Sequence, residues 1–154
     1  MGNFSHLSQT GEASMVDVSE KASSQRSAVA KGEVHISTHC RSLLDNEAIA
    51  EICSVARIAG IQAGKKTSEL IPLCHQINLS KVSIDIKIEN NKFLVSTTAK
   101  TNANTGVEME ALVAAQISCA TIYDMVKAHC PEAIIGPFQI LEKVGGKTGH
   151  WTPS

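Results

Sequence analysis

Aromatic side chains are scarce in this sequence, at 3% of the residues, so aliphatic side chains and alanine must fill any core. Positive charge is not in excess either, because 14 Lys and Arg face 15 Asp and Glu. A protein that binds nucleic acid broadly usually needs a basic surface, so this balance argues against such a partner. A hydrophobic content of 43% over 154 residues suffices for one domain with a single core.

Long apolar runs are also missing. No stretch of 18 apolar residues occurs that could span a membrane, and residues 1–30 contain no apolar run like that of a signal peptide. We therefore expect a cytoplasmic protein without a membrane partner.

The five cysteines form no CxxC pair, and their number is odd. Both features argue against a disulfide framework and a structural zinc site, so we predict reduced thiols. His35, His39 and Cys40 suggest a metal cluster, but no nearby carboxylate completes it, and we predict no metal there. The sequence also lacks a P-loop and a Ser-His-Asp signature.

The first half of the chain predicts a polar arm, a strand and a long helix. Residues 1–30 are polar and rich in Ser, and we interpret them as an extended arm. The alternation over residues 34–37 predicts a short strand. Asp45 or Asn46 would cap a helix that ends before Pro72. The apolar stripe of this helix is predicted to be Ile49, Ile52, Ala56, Ala59 and Ala63.

The second half predicts a β-hairpin, a second long helix and a last strand. Residues 82–88 alternate apolar and polar side chains, and residues 93–99 return after an Asn-Asn pair that tolerates positive φ. Residues 105–108 can form a capping box that opens the helix. Residues 138–144 then form the last strand.

The order β, α, β, β, α, β is that of the split βαβ, ferredoxin-like arrangement. This is an α+β fold with an antiparallel sheet and two long helices on one face. The other sheet face would stay open, and an open apolar sheet face usually finds a partner, so we expect an oligomer. Residues 31–149 would form a single domain, and residues 150–154 a short tail.

Two loop segments have residue types suited to binding a small anionic molecule. Lys65 complements a helix C-terminus, which is enough to explain it. His75 has no such explanation, and histidine is the side-chain type that normally titrates near neutrality. Neighbours on an extended chain point apart, so Cys74 and His75 are not a nucleophile–base pair. Near the end of the chain, glycines adjoin Lys143 and Lys147 and could bind phosphate, although a mobile tail explains them equally well.

The second helix has charges at both ends of an apolar stripe, which consists of Glu110, Val113, Ile117, Ala120, Asp124 and Lys127. Asp124 and Lys127 are three residues apart, and a surface ion pair worth about 0.3 kcal/mol is a sufficient explanation for them. Glu110 and Asp124 are 14 residues apart, which on a helix is about 21 Å. They cannot serve one small-molecule site within a single subunit. If both are functional, either two chains assemble the site or there are two sites.

Several motifs follow one another along nearly the whole chain, from about residue 4 to 149. They are Met15-Val-Asp17-Val, Ala56-Arg57-Ile-Ala-Gly60-Ile-Gln-Ala, Lys66-Thr-Ser-Glu-Leu-Ile-Pro-Leu-Cys-His75, Thr105-Gly-Val-Glu-Met-Glu-Ala-Leu112, Ile122-Tyr-Asp-Met-Val-Lys127 and Gly145-Gly-Lys. With these motifs the sequence resembles the molybdenum cofactor biosynthesis protein C family.

The resemblance implies a lyase of molybdenum cofactor biosynthesis. Family members convert 3',8-cyclo-7,8-dihydro-GTP into cyclic pyranopterin monophosphate and release pyrophosphate. The resemblance also implies a homo-hexamer, a trimer of dimers, with sites at subunit interfaces. No cofactor is firmly predicted, although Mg²⁺ could accompany the triphosphate.

The resemblance also implies the site residues, position by position. Asp124 matches the catalytic acid/base, Lys127 its lysine neighbour, and Lys65 a further polar position that we place with them. The substrate-binding positions are Leu73, Cys74, His75, Met109, Glu110, Glu108, Arg26 and Lys143.

The sequence departs from the family pattern at Ile49, where the family has an active-site lysine. Gln76 also replaces a usual Pro, and His150 a usual Asp. These departures leave two alternatives to an active synthase. One is a catalytically impaired paralogue that binds a nucleotide or pterin without turnover, and the other is an assembly module without a ligand.

Overall fold

A computed structural model describes residues 5–8, 10–147 and 149–154 as a five-stranded antiparallel sheet covered by helices. The strands lie in the order β2-β3-β1-β4-β5. The elements are β1 (Ser24–His35), α1 (Thr38–Leu43), α2 (Asn46–Lys65), α3 (Thr67–Leu70), β2 (Leu79–Glu89), β3 (Lys92–Ala103), α4 (Glu108–Val126), β4 (Ile134–Val144) and β5 (His150–Trp151). With β1 at the centre between β3 and β4, this is the predicted ferredoxin-like arrangement. Within those ranges, no helix combines the length and apolar character needed to cross a bilayer.

The central strand is longer than the sequence predicts. The predicted start at residue 34 was wrong, because β1 begins at Ser24 and includes residues 24–30 of the segment interpreted as an arm. Its core-facing residues are small, namely Ala28, Ala30 and Gly32, and all three are buried. Small residues have weak strand propensity, so the periodicity did not reveal this part of the strand.

The hairpin between β2 and β3 confirms the turn prediction. Asn90 and Asn91 have φ angles of 47° and 61°, the left-handed values of a two-residue hairpin turn. Both strands extend beyond the predicted ranges, and β3 pairs along its whole length with β1.

The helices α2 and α4 pack closely against each other on one face of the sheet. Asp45 caps α2 by accepting a hydrogen bond from the amide of Ala48. A Cβ on Gly60 would overlap the side chains of Ser118 and Ile84, so glycine is needed for this close approach. Successive residues of α2 meet earlier residues of α4, and the two helices therefore run antiparallel.

The stripe predicted for α4 was partly wrong. Glu110 and Val113 are buried, but Ile117 and Asp124 are exposed. Apolar residues surround most of this helix, so sequence spacing could not decide which side faces the core. The core-facing residues are Ala111, Ala114, Ala115, Ser118, Cys119, Ile122 and Val126.

The sheet face opposite the helices is more polar than expected. Glu33 on β1 accepts hydrogen bonds from His35, at 2.8 Å, and from Lys92 of the adjacent strand, at 3.4 Å. An apolar open sheet face is therefore not the reason for an oligomer. Exposed apolar side chains lie on the outer surface of the helices instead, among them Ile58 and Ile117.

The prediction of reduced cysteines was wrong for one pair. Cys40 of α1 and Cys130, which follows α4, form a disulfide with 5.7 Å between their Cα atoms. A sequence separation of 90 residues hid this pairing from spacing arguments. Cys53, Cys74 and Cys119 are free thiols.

Candidate active site

Three adjoining cavities surround the N-terminal end of α4. The first, about 210 Å³, shares Gly106 and Glu108 with the second, about 240 Å³. The second shares His75 and Glu110 with the third, about 260 Å³. Nine of the eleven predicted site residues line them: Arg26, Lys65, Leu73, Cys74, His75, Glu108, Met109, Glu110 and Lys143.

The first cavity is rich in positive charge. Among the residues that the structure describes, four cationic side chains line it, those of Lys21, Arg26, Lys143 and Lys147, and Glu108 is the one acidic lining residue. Backbone of a glycine-rich turn also lies on its wall. Clustered ammonium and guanidinium groups beside exposed backbone suit a phosphate-bearing ligand.

Arg26 is held in place from two sides. Its Nε donates to the carbonyl of Ala103 at 3.0 Å. On the other side lies Gly146, whose φ is +72°, and a Cβ there would press on the guanidinium. The glycine thus allows the turn to lie directly against Arg26.

Glu108 does not form the predicted capping box. The N-cap of α4 is Val107, and no side chain caps the helix. The Glu108 carboxylate instead lies 3.4 Å from Nζ of Lys143. The capping prediction was therefore wrong. The Glu108 carboxylate, which would have capped the helix, pairs instead with Lys143 of β4.

Glu110 is the buried acid of the site. Its exposed fraction is 4%, and it faces both the second and third cavities. Burial, together with the nearby Glu108 carboxylate, raises the pKa of Glu110 to about 7. This carboxyl can therefore both donate and accept a proton near neutral pH.

Lys65 and Cys74 flank Glu110 from α2 and from the loop after α3. Lys65 is the last residue of α2 and lines the third cavity with Glu110 and His75. Burial, reinforced by the Glu110 carboxylate, raises the pKa of the Cys74 thiol. The thiol therefore stays protonated at neutral pH.

His75 binds the N-terminal segment to the site. Its Nε2 donates to the carbonyl of Val16 at 2.8 Å, and Asn104 donates to the carbonyl of Val18 at 2.9 Å. The pKa of Asp17 is lowered, first by the backbone amide of Ser19 and also by His75. Residues 16–18 therefore lie against the site rather than away from it.

Sequence reasoning missed this contribution of the N-terminal segment and of Lys21, whereas it named Lys147 as a candidate for phosphate binding. Lys21 and Lys147 line the cationic cavity, and Val16 and Asn104 hold the segment in position. The available signal was the Met15-Val-Asp17-Val motif, because a free arm that contacts nothing does not need a defined motif.

Asp124 and Lys127 lie at the opposite end of α4. Their side chains form an exposed ion pair of 2.6 Å, and the hydrogen bond and charge of Asp124 raise the pKa of Lys127. Neither residue lines any of the three cavities. The continuous helix keeps Asp124 about 21 Å from Glu110 within one chain.

Ile49 belongs to this same end of the helix pair. The antiparallel packing of α2 and α4 brings the start of α2 towards the end of α4. Ile49 is half-buried and packs against the core cluster. Its side chain thus continues the apolar stripe of α2, as the sequence spacing predicts.

The candidate metal cluster is divided between other interactions. His35 binds Glu33, and Cys40 is in the disulfide. Among the residues that the structure describes, no group of three or more His, Cys, Asp or Glu could hold a metal ion.

Comparison with known proteins decides the family. The family model described as "MoaC family" matches residues 15–146. The chain belongs to the MoaC family. The cyclic pyranopterin monophosphate synthase of Brucella ovis is 45% identical over 99% of this chain and 95% of its own length. The synthase of the same name from Geobacillus thermodenitrificans is 43% identical, over 98% and 97%.

Among solved structures, a de novo designed protein with a ferredoxin fold matches with a TM-score of 0.44. Its sequence is 13% identical, and the match covers 83% of this chain and 93% of the designed one. The MoaC-family match includes every described residue that lines the cationic cavity except Lys147.

Proposed function

We propose that this chain is a cyclic pyranopterin monophosphate synthase. It would convert 3',8-cyclo-7,8-dihydro-GTP into cyclic pyranopterin monophosphate and pyrophosphate, a lyase step of molybdenum cofactor biosynthesis. The observation that carries the proposal is the joined set of cavities, in which a cationic cavity opens beside a buried carboxyl with a pKa near 7. Membership of the MoaC family and the names of the relatives support the same reaction.

The triphosphate would bind in the cationic cavity. A triphosphate has about four negative charges, and Lys21, Arg26, Lys143 and Lys147 supply four positive ones. The same groups would stabilise the charge that develops on pyrophosphate as it leaves. The purine-derived ring would then extend past Glu108 towards the second cavity.

The ring chemistry would take place around Glu110. Opening a purine and rebuilding it as a pterin needs several proton transfers, and each well-placed acid or base contributes about 10²–10⁴-fold. Glu110 has a pKa matched to that task. His75 and Lys65, which line the same cavity, would orient the ring and stabilise negative charge.

The catalytic pair Asp124 and Lys127 would come from a neighbouring subunit. Their distance from Glu110 on one helix excludes a shared site within a chain. A hexamer built as a trimer of dimers, with sites at subunit interfaces, would bring one subunit's pair to another's cavities. Lys127 would hold the Asp124 carboxylate in place through their 2.6 Å ion pair.

Mg²⁺ would enter as part of the triphosphate substrate, and we assign it no protein ligand. The substrate is a cytoplasmic metabolite by its chemistry, since it derives from GTP, and we place the enzyme in the same compartment.

Ile49 supports a second candidate function. An apolar side chain that packs against the core replaces the lysine that the resemblance implies, at the end of the helix pair that holds Asp124. A catalytically impaired paralogue, which binds a nucleotide or pterin without turnover, would have this arrangement.

Incubation of the purified protein with 3',8-cyclo-7,8-dihydro-GTP separates the candidates. The synthase produces cyclic pyranopterin monophosphate and pyrophosphate in equal amounts, measured by chromatography. Saturable binding without either product would instead identify the impaired paralogue. Absence of both binding and product would reject the two together.

A further inference from the structure

The C-terminal residues form a small hairpin beside the cationic cavity. Strand β5 pairs antiparallel with the end of β4, so that Lys143 lies opposite Trp151 and Val144 opposite His150. The amide of Gly145 donates to the carbonyl of Gly149 at 2.8 Å and closes the turn between the strands. These contacts fix Trp151 in a position that faces Lys143 directly across the two strands.

Two groups of different chemistry lie near the Lys143 ammonium. It is 3.4 Å from the Glu108 carboxylate, and it lies over the Trp151 ring at 5.9 Å from the ring centre. A cation within about 6 Å of an indole face is attracted by the ring quadrupole. The second attraction needs no counter-charge, so it persists when an anion competes for the lysine.

We propose that Trp151 is the positioning residue for Lys143, which it holds against the cationic cavity for a phosphate-bearing ligand. The assignment of Lys143 to the substrate rests on the proposed function, whereas the role of Trp151 rests on the hairpin geometry. Without the ring, Lys143 has Glu108 as its remaining partner and is drawn towards that carboxylate.

A second cross-strand contact supports this role for the hairpin. His150 Nε2 donates to Glu142 at 2.7 Å, on the strand face opposite the Lys143–Trp151 pair. The two-residue strand is therefore fixed by backbone pairing and by side-chain contacts on both faces. A strand this short would otherwise contribute little stability of its own.

The sole tryptophan of the chain makes the proposal directly measurable. Titration of the full-length protein with inorganic pyrophosphate should change the Trp151 fluorescence saturably, because the ligand rearranges the charge beside the ring. The Lys143→Met variant should lose this response. A matched control is Lys87→Met, an exposed lysine on β2, and it should keep the response of the parent protein.

Calorimetric titration with pyrophosphate then separates positioning from folding. Trp151→Ala should bind roughly three- to fivefold more weakly, and Trp151→Phe, which keeps a ring face, should stay within about twofold of the parent protein. Equal affinity of Trp151→Ala and the parent would overturn the proposal, as would a Trp151→Phe variant as weak as Trp151→Ala. Failure of the parent to bind pyrophosphate would overturn it as well.

Turnover provides an independent measurement. In an active enzyme, Trp151→Ala should raise KM and leave kcat unchanged, because the contact acts on ligand binding. If the parent binds pyrophosphate with the predicted Trp151 dependence but forms no product, the proposed function fails and the role of Trp151 stands.

Discussion

At the residue scale, burial of Glu110 changes the pKa of a carboxyl group so that it can exchange protons near neutral pH. A carboxyl group in water is ionised at neutral pH, but the protein around Glu110 raises its pKa to about 7. The raised pKa means that the protonated form of Glu110 is favoured more in the folded state than in the unfolded chain. A proton can then be exchanged with a substrate near physiological pH without a large free-energy difference.

The buried carboxyl predicts a pH-dependent stability. The ordinary pKa of Glu110 is 4.5 and the folded value is about 7, so the folded state binds the extra proton between these values. Stability therefore falls as the pH rises from about 4.5 to 7, and the loss is complete above 7. Glu110→Gln removes this penalty, and its free energy of unfolding at pH 8 should exceed the parent's by about 1–3 kcal/mol.

Denaturant unfolding at two pH values measures this effect. At pH 4 the parent and Glu110→Gln should have nearly equal stability, since both are neutral at this position. The compared quantity is the free energy of unfolding of Glu110→Gln minus that of the parent. If this difference is the same at pH 8 as at pH 4, Glu110 is ionised in the folded state without a penalty.

Asp124 should be needed for turnover and not for folding. Asp124→Asn is nearly isosteric and the side chain is exposed, so the fold should persist while proton transfer fails. We expect kcat to fall by about 10²-fold or more. Asp85→Asn, an exposed aspartate on β2, is the matched control and should retain full activity. Unchanged turnover in Asp124→Asn would leave the residue as a surface ion-pair partner.

Ile49→Lys tests whether the enzyme is impaired. A lysine there would restore the cation that the resemblance implies beside Asp124 and Lys127, and turnover should rise. Thermal stability should fall slightly, because Ile49 packs against the core. Ile49→Gln, which loses the packing without adding charge, separates the two effects. If Ile49→Lys is slower than the parent, the impairment hypothesis is wrong and another cation fills the role.

At the element scale, the sequence predicted what local patterns encode. The Asn-Asn hairpin and the cap at Asp45 both depend on residues only a few positions apart. The start of β1 at Ser24 was missed because its small residues show no alternating strand pattern. Their position depends on packing against the overlying helix, which local sequence does not encode. Glu108 was misassigned because its partner, Lys143, belongs to a distant strand.

The Cys40–Cys130 disulfide is an element-scale feature that predicts a redox-dependent stability. It joins α1 to the segment after α4 and closes a loop of 90 residues. Its reduction therefore increases the conformational entropy of the unfolded chain. Loss of such a cross-link costs about 2–4 kcal/mol. Dithiothreitol should therefore lower the melting temperature of the parent protein.

The double variant Cys40→Ala, Cys130→Ala is the control for that measurement. It should melt below the oxidised parent, and dithiothreitol should not change its melting temperature. An equal response of the parent and the double variant to the reductant would show that the Cys40–Cys130 disulfide is not the cause of the change.

At the scale of the whole molecule, the antiparallel helix pair separates two groups of candidate site residues. The buried acid and the cations lie at one end, and Asp124 with Lys127 lies at the other. The sequence alone predicted this separation, because rise per residue fixes the distance along a helix. It could not predict which surfaces of two chains meet, since that depends on side chains from several elements.

Subunit mixing tests most directly the central claim that two chains build one site. Glu110→Ala and Asp124→Ala should each be inactive alone. In a 1:1 mixture with random exchange, about one quarter of the sites combine an intact Glu110 with an intact Asp124. Synthase activity should therefore return to roughly one quarter of the parent's. Mixtures that stay inactive at every ratio, while subunit exchange is confirmed by mass spectrometry, would contradict it.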